Sequence, residues 1–174
     1  MKLNTIKPID SEVILVPYDF TEAAQNAVAH ANLLARLFHK KIVLLHVVEK
    51  GLFKAGTPNT LSEKETDKKL KGIAATNTAD QKIETSHQLR SGNIFDTIAD
   101  AAGDLNAALV VMGTHGVTGM QHVTGSKALK VITNSNRPFV VVQKKDVRLH
   151  GYKNIVLPFD FSKKKKKKPV WAVE

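Results

Sequence analysis

A glycine-rich segment follows an apolar run in the second half of the chain and ends at a residue that can begin a helix. The apolar run ends at Gly113, and Gly116, Gly119, Gly125 and Ser126 follow it. At the carboxyl end of a strand in an α/β sheet, uncovered backbone N–H groups beside a helix N-terminus form a binding site for phosphate. The segment therefore suggests a nucleotide site.

The spacing of these glycines excludes two common phosphate-binding motifs. A dinucleotide fingerprint requires G-x-G-x-x-G, whereas the first three glycines here are each separated by two residues. A P-loop requires G-x-x-x-x-G-K-[ST], but five residues separate Gly119 from Gly125, and the Ser-Lys pair that follows is in the reverse order. Ser126 is still a suitable helix N-cap, since its hydroxyl can accept an N–H or bind a phosphate.

At these residues the sequence resembles the universal stress protein family, whose nucleotide-binding members carry G-x2-G-x9-G-(S/T) after the fourth strand. Three further segments resemble the family in the same order: Val16-Pro-Tyr-Asp-Phe-Thr21, Val43-Leu-Leu-His-Val47 and Asn136-Arg-Pro-Phe-Val-Val-Val142. One departure is that eight residues, not nine, separate Gly116 from Gly125. The resemblance covers about residues 10–145 and implies binding of ATP or a related adenine nucleotide, alone or with magnesium.

Apolar runs rich in β-branched residues alternate with segments of helical periodicity, which is typical of βαβ units. The patterns predict strands at 12–17, 41–48, 82–89, 107–112 and 139–143, and helices at 22–38, at 63–75 and after Ser91-Gly92. Thr21 is predicted to cap the first helix, and Ser62 with Glu65 to form a capping box for the second.

Right-handed crossovers favour an α/β fold in which an open five-stranded parallel sheet of order 3-2-1-4-5 carries helices on both faces. The fold is Rossmann-like, and the resemblance implies the adenine nucleotide alpha hydrolase-like type. Ligands of such sheets bind at the carboxyl ends of the strands that flank the switch point, here the first and the fourth. The resemblance implies nucleotide-binding roles for a set of residues around this point. These are Pro17, Asp19 near the ribose or the adenine amine, Val47 through its backbone against adenine, Met112 and Gly113 beside the sugar, and Gly116, Gly125 and Ser126 around the phosphates.

Each of these positions also has a structural explanation. Asp19 can simply cap the first helix. Gly113 and Gly116 can be glycines because a tight turn requires a positive φ there, and Gly125 can be one because a helix and a strand approach closely. Val47 and Met112 would be core residues in any case.

The histidines and the serine of the glycine-rich segment do not complete a catalytic or metal-binding set. No Asp or Glu stands at triad or metal-ligand spacing beside His115 and His122. His46 interrupts an apolar strand and is predicted to be a hydrogen-bonded core or cleft residue. Ser126 has no evident base and no G-x-S-x-G elbow. We therefore predict no catalytic residue and no metal ligand, with a weak nucleotide phosphohydrolase activity left open.

The formal net charge of +10 is concentrated near the C-terminus. Lys163–Lys168 form a run of six lysines, and removing these from +10 leaves +4. A nucleic-acid surface would need basic residues spread along a face with aromatic residues or a reading element, and the sequence shows neither. We predict no nucleic-acid partner and interpret the run as solvated.

The composition limits the class of protein further. A chain of 174 residues, 43% of them hydrophobic, can form one good core. The absence of cysteine excludes disulfides and thiolate chemistry. Neither a signal-peptide pattern nor an apolar run long enough for a membrane is found, so a cytoplasmic location without membrane contact is expected.

An internal repeat with an offset of 141 residues links the two ends of the sequence. The segment 13–21 matches 154–162 position by position. We therefore predict a universal stress protein domain at 1–148 and, at 149–174, the opening strand of a second, truncated repeat with a lysine-rich tail. Alternatively, the strand at 155–161 pairs with the sheet edge of a partner chain.

Two functional classes follow from these observations. The first is a nucleotide-binding regulatory module of the stress response, in which ATP changes the crevice and, through it, dimerisation or partner contacts. The second is a nucleotide-free scaffold that pairs through its last strand, 139–143, either as a homodimer or within one chain with a second stress-protein domain.

Overall fold

The computed structural model describes residues 11–49, 62–114, 130–143 and 156. The chain divides into two units, Ser11–Val147 and a second that combines Met1–Asp10 with Arg148–Glu174, and all described helices and strands belong to the first. In chain order they are β1 (Val13–Pro17), α1 (Glu22–Phe38), β2 (Lys41–Val48), α2 (Glu63–Gln81), β3 (Thr85–Ser91), α3 (Ile94–Asp104), β4 (Leu109–Gly113), the helical residues 130–134, here called α4, and β5 (Phe139–Val142).

The strands form one sheet of order β3-β2-β1-β4-β5, in which every pair of neighbours is parallel. This is the predicted order, with β1 and β4 at its switch point. The predicted first helix and second strand have the observed bounds.

Alternation along the strands gives the sheet two apolar faces. Ile14 and Val16 of β1 point to one side, where they join the buried faces of α1 and α2. Leu15, between them in sequence, points to the other side and joins α3 and α4 through Ile98 and Val131. Because a strand reverses its side chains at each residue, one apolar run supplies both cores. The predicted placement of helices on both faces is confirmed.

Two predicted boundaries in the first half of the sheet are wrong. The structure extends α2 to Gln81, six residues beyond the predicted end, and moves the third strand from 82–89 to Thr85–Ser91. The extension contains Thr76, Asn77 and Thr78, which are poor helix formers. Hydrogen bonds from Asn77 to α1 and β3 offset the low helix propensity of this segment. Lys82, in the left-handed conformation with φ 57°, then ends the helix.

A pair of amides holds α1, α2 and β3 together. The Asn32 amide donates to the Asn77 carbonyl at 2.8 Å, and the Asn77 amide donates back to Asn32 at 3.0 Å and to the Thr85 hydroxyl at 2.8 Å. Asn32 is only 7% exposed. Buried polar groups of this kind are tolerated because each finds a partner.

The predicted helix caps are confirmed. The Thr21 hydroxyl accepts from the Ala24 N–H at 3.3 Å. At α2 the Glu65 N–H donates to the Ser62 hydroxyl at 3.3 Å, and the Ser62 N–H donates to the Glu65 carboxylate at 2.8 Å. Elsewhere the strand ends differ from the predicted ones by one or two residues. No helix among the described residues is both long and apolar enough to cross a membrane.

Candidate functional site

The switch point of the sheet opens into a crevice because the two central strands pair over only part of their length. The β1–β4 ladder joins Ile14 to Leu109 and Leu15 to Val110 and then stops. Beyond it, β4 continues beside β5 as far as Gly113. The carboxyl ends of β1 and β4 are therefore not hydrogen-bonded to each other, and the segments that follow them flank the place where such sheets bind ligands.

Asp19 lies in the turn that leads from β1 into α1. Its Oδ1 accepts hydrogen bonds from the Thr21 N–H, at 3.1 Å, and from the Thr21 hydroxyl. Thr21 in turn caps α1, so Asp19 does support the cap, as its structural explanation predicted. The described residues give no hydrogen bond to its other oxygen, Oδ2, and the side chain is exposed. One carboxylate oxygen thus orients the turn and the second can accept from a ligand.

Gly113 lies where the end of β4 meets the first turn of α1. A Cβ atom added there would stand 2.1 Å from the Ala23 carbonyl oxygen and 2.9 Å from the Ala24 nitrogen. The φ of Gly113 is not positive, so the suggested tight-turn explanation is wrong for this glycine. Close approach of two backbones is the reason a glycine is needed. The same approach brings Gly113 to the helix that follows Asp19.

Val47 occupies a part of β2 that has no partner on the β1 side. The β1–β2 ladder ends where Pro17 faces Leu45, and one further bond joins the Tyr18 N–H to the Leu45 oxygen at 2.8 Å. Val47 lies two residues beyond, paired with Arg90 of β3 on its other side. The backbone of β2 is therefore open to the crevice at this residue.

The side chains of Val47 and Met112 are half-buried and contact the core beneath α3 and α4. Both are core residues, as expected in any case.

An aromatic cluster that sequence reasoning missed stands beside the Asp19 turn. Phe20 adopts a left-handed φ of 64°, which places its ring edge-to-face with Tyr18 at 5.4 Å and tilted against His46 at 5.0 Å between centroids. The Lys69 ammonium of α2 lies 4.6 Å from the centre of the Phe20 ring. Tyr18 and Phe20, two aromatic residues in one short turn, were the available signal, but nothing local predicts a positive φ for phenylalanine.

His46 is the hydrogen-bonded cleft residue that the sequence predicts. Its Nδ1 lies 2.7 Å from the Tyr18 carbonyl oxygen, which requires the proton on Nδ1. Tyr18 is 6% exposed, its hydroxyl is hydrogen-bonded to Gln25, and burial raises the pKa of the phenol.

The remaining predicted site residues, Gly116, Gly125 and Ser126, lie outside the described residues, as do His115 and His122. The structure thus places five of the predicted residues around one crevice. These are Pro17, Asp19, Val47, Met112 and Gly113. Among the described residues, no group of three or more His, Cys, Asp or Glu side chains could hold a metal ion.

Comparison with known proteins agrees with this architecture. The sequence model of the universal stress protein family matches residues 11–143. The chain belongs to the universal stress protein family. The predicted resemblance is confirmed.

Two archaeal proteins illustrate the sequence similarity. Universal stress protein MJ0577 of Methanocaldococcus jannaschii is 28% identical over 157 residues, covering 76% of this chain and 95% of its own. Universal stress protein MJ0531 of the same organism is 30% identical over 142 residues, covering 75% and 81%.

Solved structures show the same fold. The match to the structure of MJ0577 has a TM-score of 0.56 at 26% identity and covers 78% of this chain and 98% of that one. The universal stress protein of Archaeoglobus fulgidus in complex with dAMP has a TM-score of 0.55 at 20% identity, with 76% and 98% covered.

Proposed function

We propose that this protein is a nucleotide-binding regulatory module of the stress response, and that its ligand is ATP or a related adenine nucleotide, alone or with magnesium. The observation that carries the proposal is the crevice between the carboxyl ends of β1 and β4, where the turn after β1 presents an unused carboxylate oxygen of Asp19. The A. fulgidus relative that binds dAMP has the same fold, which supports an adenine nucleotide as the ligand.

The crevice has polar and apolar groups that can bind the base and the sugar of such a ligand. Oδ2 of Asp19 can accept a hydrogen bond from a ribose hydroxyl or an adenine amine. The open β2 backbone at Val47 can pair with the edge of the base. Met112 can contact the sugar. Under this proposal the phosphates belong to Gly116, Gly125 and Ser126, on the sequence pattern alone.

The proposed role is binding rather than turnover. The described crevice offers one carboxylate, and its Oδ1 is engaged by Thr21. In this proposal the nucleotide changes the crevice and, through it, the pairing of the protein with its partners in the cytoplasm.

Calorimetric titration with ATP, ADP and AMP in the presence of magnesium tests the proposal. We expect saturable binding that Asp19→Ala weakens. Asp19→Asn should preserve the Thr21 turn, since its amide oxygen still accepts, while removing the charge and placing an NH2 donor where the ligand would meet a carboxylate oxygen. Asp100→Ala, an exposed aspartate of α3, is the charge-matched control and should bind as the wild type does.

Gly125→Val tests the phosphate part of the proposal separately. A branched side chain would cover backbone N–H groups that a phosphate needs. Unchanged affinity in folded Gly125→Val protein would count against the assigned phosphate role. Absence of binding heat from folded wild-type protein would reject the nucleotide module altogether.

One observation favours the alternative, a nucleotide-free scaffold that acts by pairing through its last strand. β5 forms an edge of the sheet, and its Val141 is 42% exposed. Exposed apolar edges of this kind invite pairing with another sheet. If this alternative is right, Val141→Lys should lower the molar mass in light scattering, and ATP should leave that mass unchanged for the wild type.

A further inference from the structure

A groove between α1 and α2 contains a cavity. Its volume is about 400 Å³, within the range of small-molecule sites. Tyr18, Val28 and Ile73 supply its apolar wall, and Lys69 and Asp80 lie among its polar residues. Lys69 and Asp80 are 11 residues apart on α2, a separation of about 16 Å along a helix, so the two charges stand at opposite ends.

Gly72 lines this groove from the interior of α2 without any packing reason to be glycine. A Cβ atom added there would meet no atom within 4 Å. Glycine inside a helix is less favourable than alanine because it loses more backbone freedom on folding. The absence of a side chain at Gly72 widens the middle of the groove.

The Lys69 end of the groove is electropositive. The ammonium lies over the face of Phe20, a contact that attracts the cation without neutralising its charge. Within the described part of the chain, Lys69 makes no ion pair, whereas Lys41 has two carboxylate partners. An anionic group bound here would pair with a charge that has no other carboxylate partner among those residues.

We propose that this groove is a second ligand site, which binds a flat aromatic molecule bearing one anionic group. The ring lies against Tyr18, Val28 and Ile73, in the space that Gly72 leaves open, and the anion pairs with Lys69. Asp80, at the far end, disfavours a second anionic group and selects a hydrogen-bond donor there.

The groove is separate from the crevice that we assign to a nucleotide. Val28 belongs to the core on the α1 and α2 face of the sheet, whereas Val47 and Met112 contact the core on the opposite face. The Phe20 ring connects the two, because it touches Lys69 on one side and adjoins Asp19 in sequence. The groove proposal stands on its own contacts and does not depend on nucleotide binding.

Titration of the full chain with the fluorescent anion anilinonaphthalene sulfonate tests the site. We expect one saturable site in the wild type. Gly72→Leu should fill the groove and weaken binding by about tenfold or more, since the ring needs that space. Lys69→Gln, at an exposed position, should weaken it by roughly fivefold by removing the charged partner, and added salt should reduce the difference.

Gly103→Leu is the matched control, because Gly103 is also a helical glycine whose Cβ would meet nothing within 4 Å. It should bind the probe as the wild type does. Wild-type protein without a saturable site, or equal affinities for the wild type and folded Gly72→Leu, would overturn the proposal. If Gly72→Leu proved unfolded by circular dichroism, unchanged binding and salt dependence in Lys69→Gln would overturn it instead.

Discussion

Replacing Gly113 with alanine should destabilise the fold by displacing the first turn of α1 from the end of β4. The added methyl group would stand 2.1 Å from the Ala23 carbonyl oxygen, whereas ordinary van der Waals contact begins at 3.4 Å. The two backbones must therefore separate by about 1.3 Å along that contact. The obstacle is main chain, so no change of rotamer can relieve it.

The expected cost is about 2–3 kcal/mol, toward the upper part of the range for overpacking in a tight interior. In a domain of this size, that corresponds to roughly 6–12 °C in the midpoint of thermal unfolding. Urea unfolding followed by circular dichroism measures the free energy of unfolding directly.

Two other glycines provide controls, because their replacement by alanine should raise the free energy of unfolding, whereas Gly113→Ala should lower it. Gly72→Ala and Gly103→Ala introduce the same methyl group into helices where it would meet nothing within 4 Å. Both should stabilise the protein, by roughly 0.5–1 kcal/mol for an interior helical position, because alanine loses less backbone entropy on folding. A Gly113→Ala protein as stable as the wild type, or one stabilised like these controls, would refute the close-approach argument.

Two further changes test the contacts that hold α2 in place. Asn77→Ala should cost about 1–3 kcal/mol in urea unfolding, because it leaves the buried Asn32 amide without its partner; adding Asn32→Leu should recover part of this loss, and strictly additive effects would contradict the coupling. Hydrogen bonds from Ser62 lower the pKa of Glu65 below its ordinary value of 4.5. The resulting stability is present above the unfolded pKa and is lost as the pH falls through the folded pKa. Ser62→Ala keeps the backbone N–H, which is the larger cause, and removes only the hydroxyl, so it should raise the Glu65 pKa, measured by NMR, part of the way to its ordinary value and reduce the pH dependence of stability below about pH 5 without abolishing it.

Local patterns were sufficient to predict the sheet and the starts of its helices. Strand order followed from alternating apolar runs and the handedness of crossovers, and both are properties of short segments. Thr21 and Ser62 could be identified as caps because the groups they satisfy lie within the next three residues.

The features that sequence reasoning missed depend on contacts between distant segments. The end of α2 is held by the Asn32–Asn77 pair, whose members are 45 residues apart. No window along α2 contains that information, so its threonines and asparagine predicted an earlier end. The left-handed Phe20 is similar, because its ring contacts come from β2 and α2.

Gly113 shows why a glycine in a family pattern is weak evidence for a ligand. Its missing side chain is required by the approach of α1 to β4, and a nucleotide-free scaffold with this fold would need it equally. Asp19 differs, because the helix cap uses only its Oδ1 atom. If removing the charge lowers the affinity for ATP, the loss reflects contact with the ligand and not loss of the cap. Asp19→Asn therefore discriminates between a nucleotide module and a scaffold better than any change at Gly113.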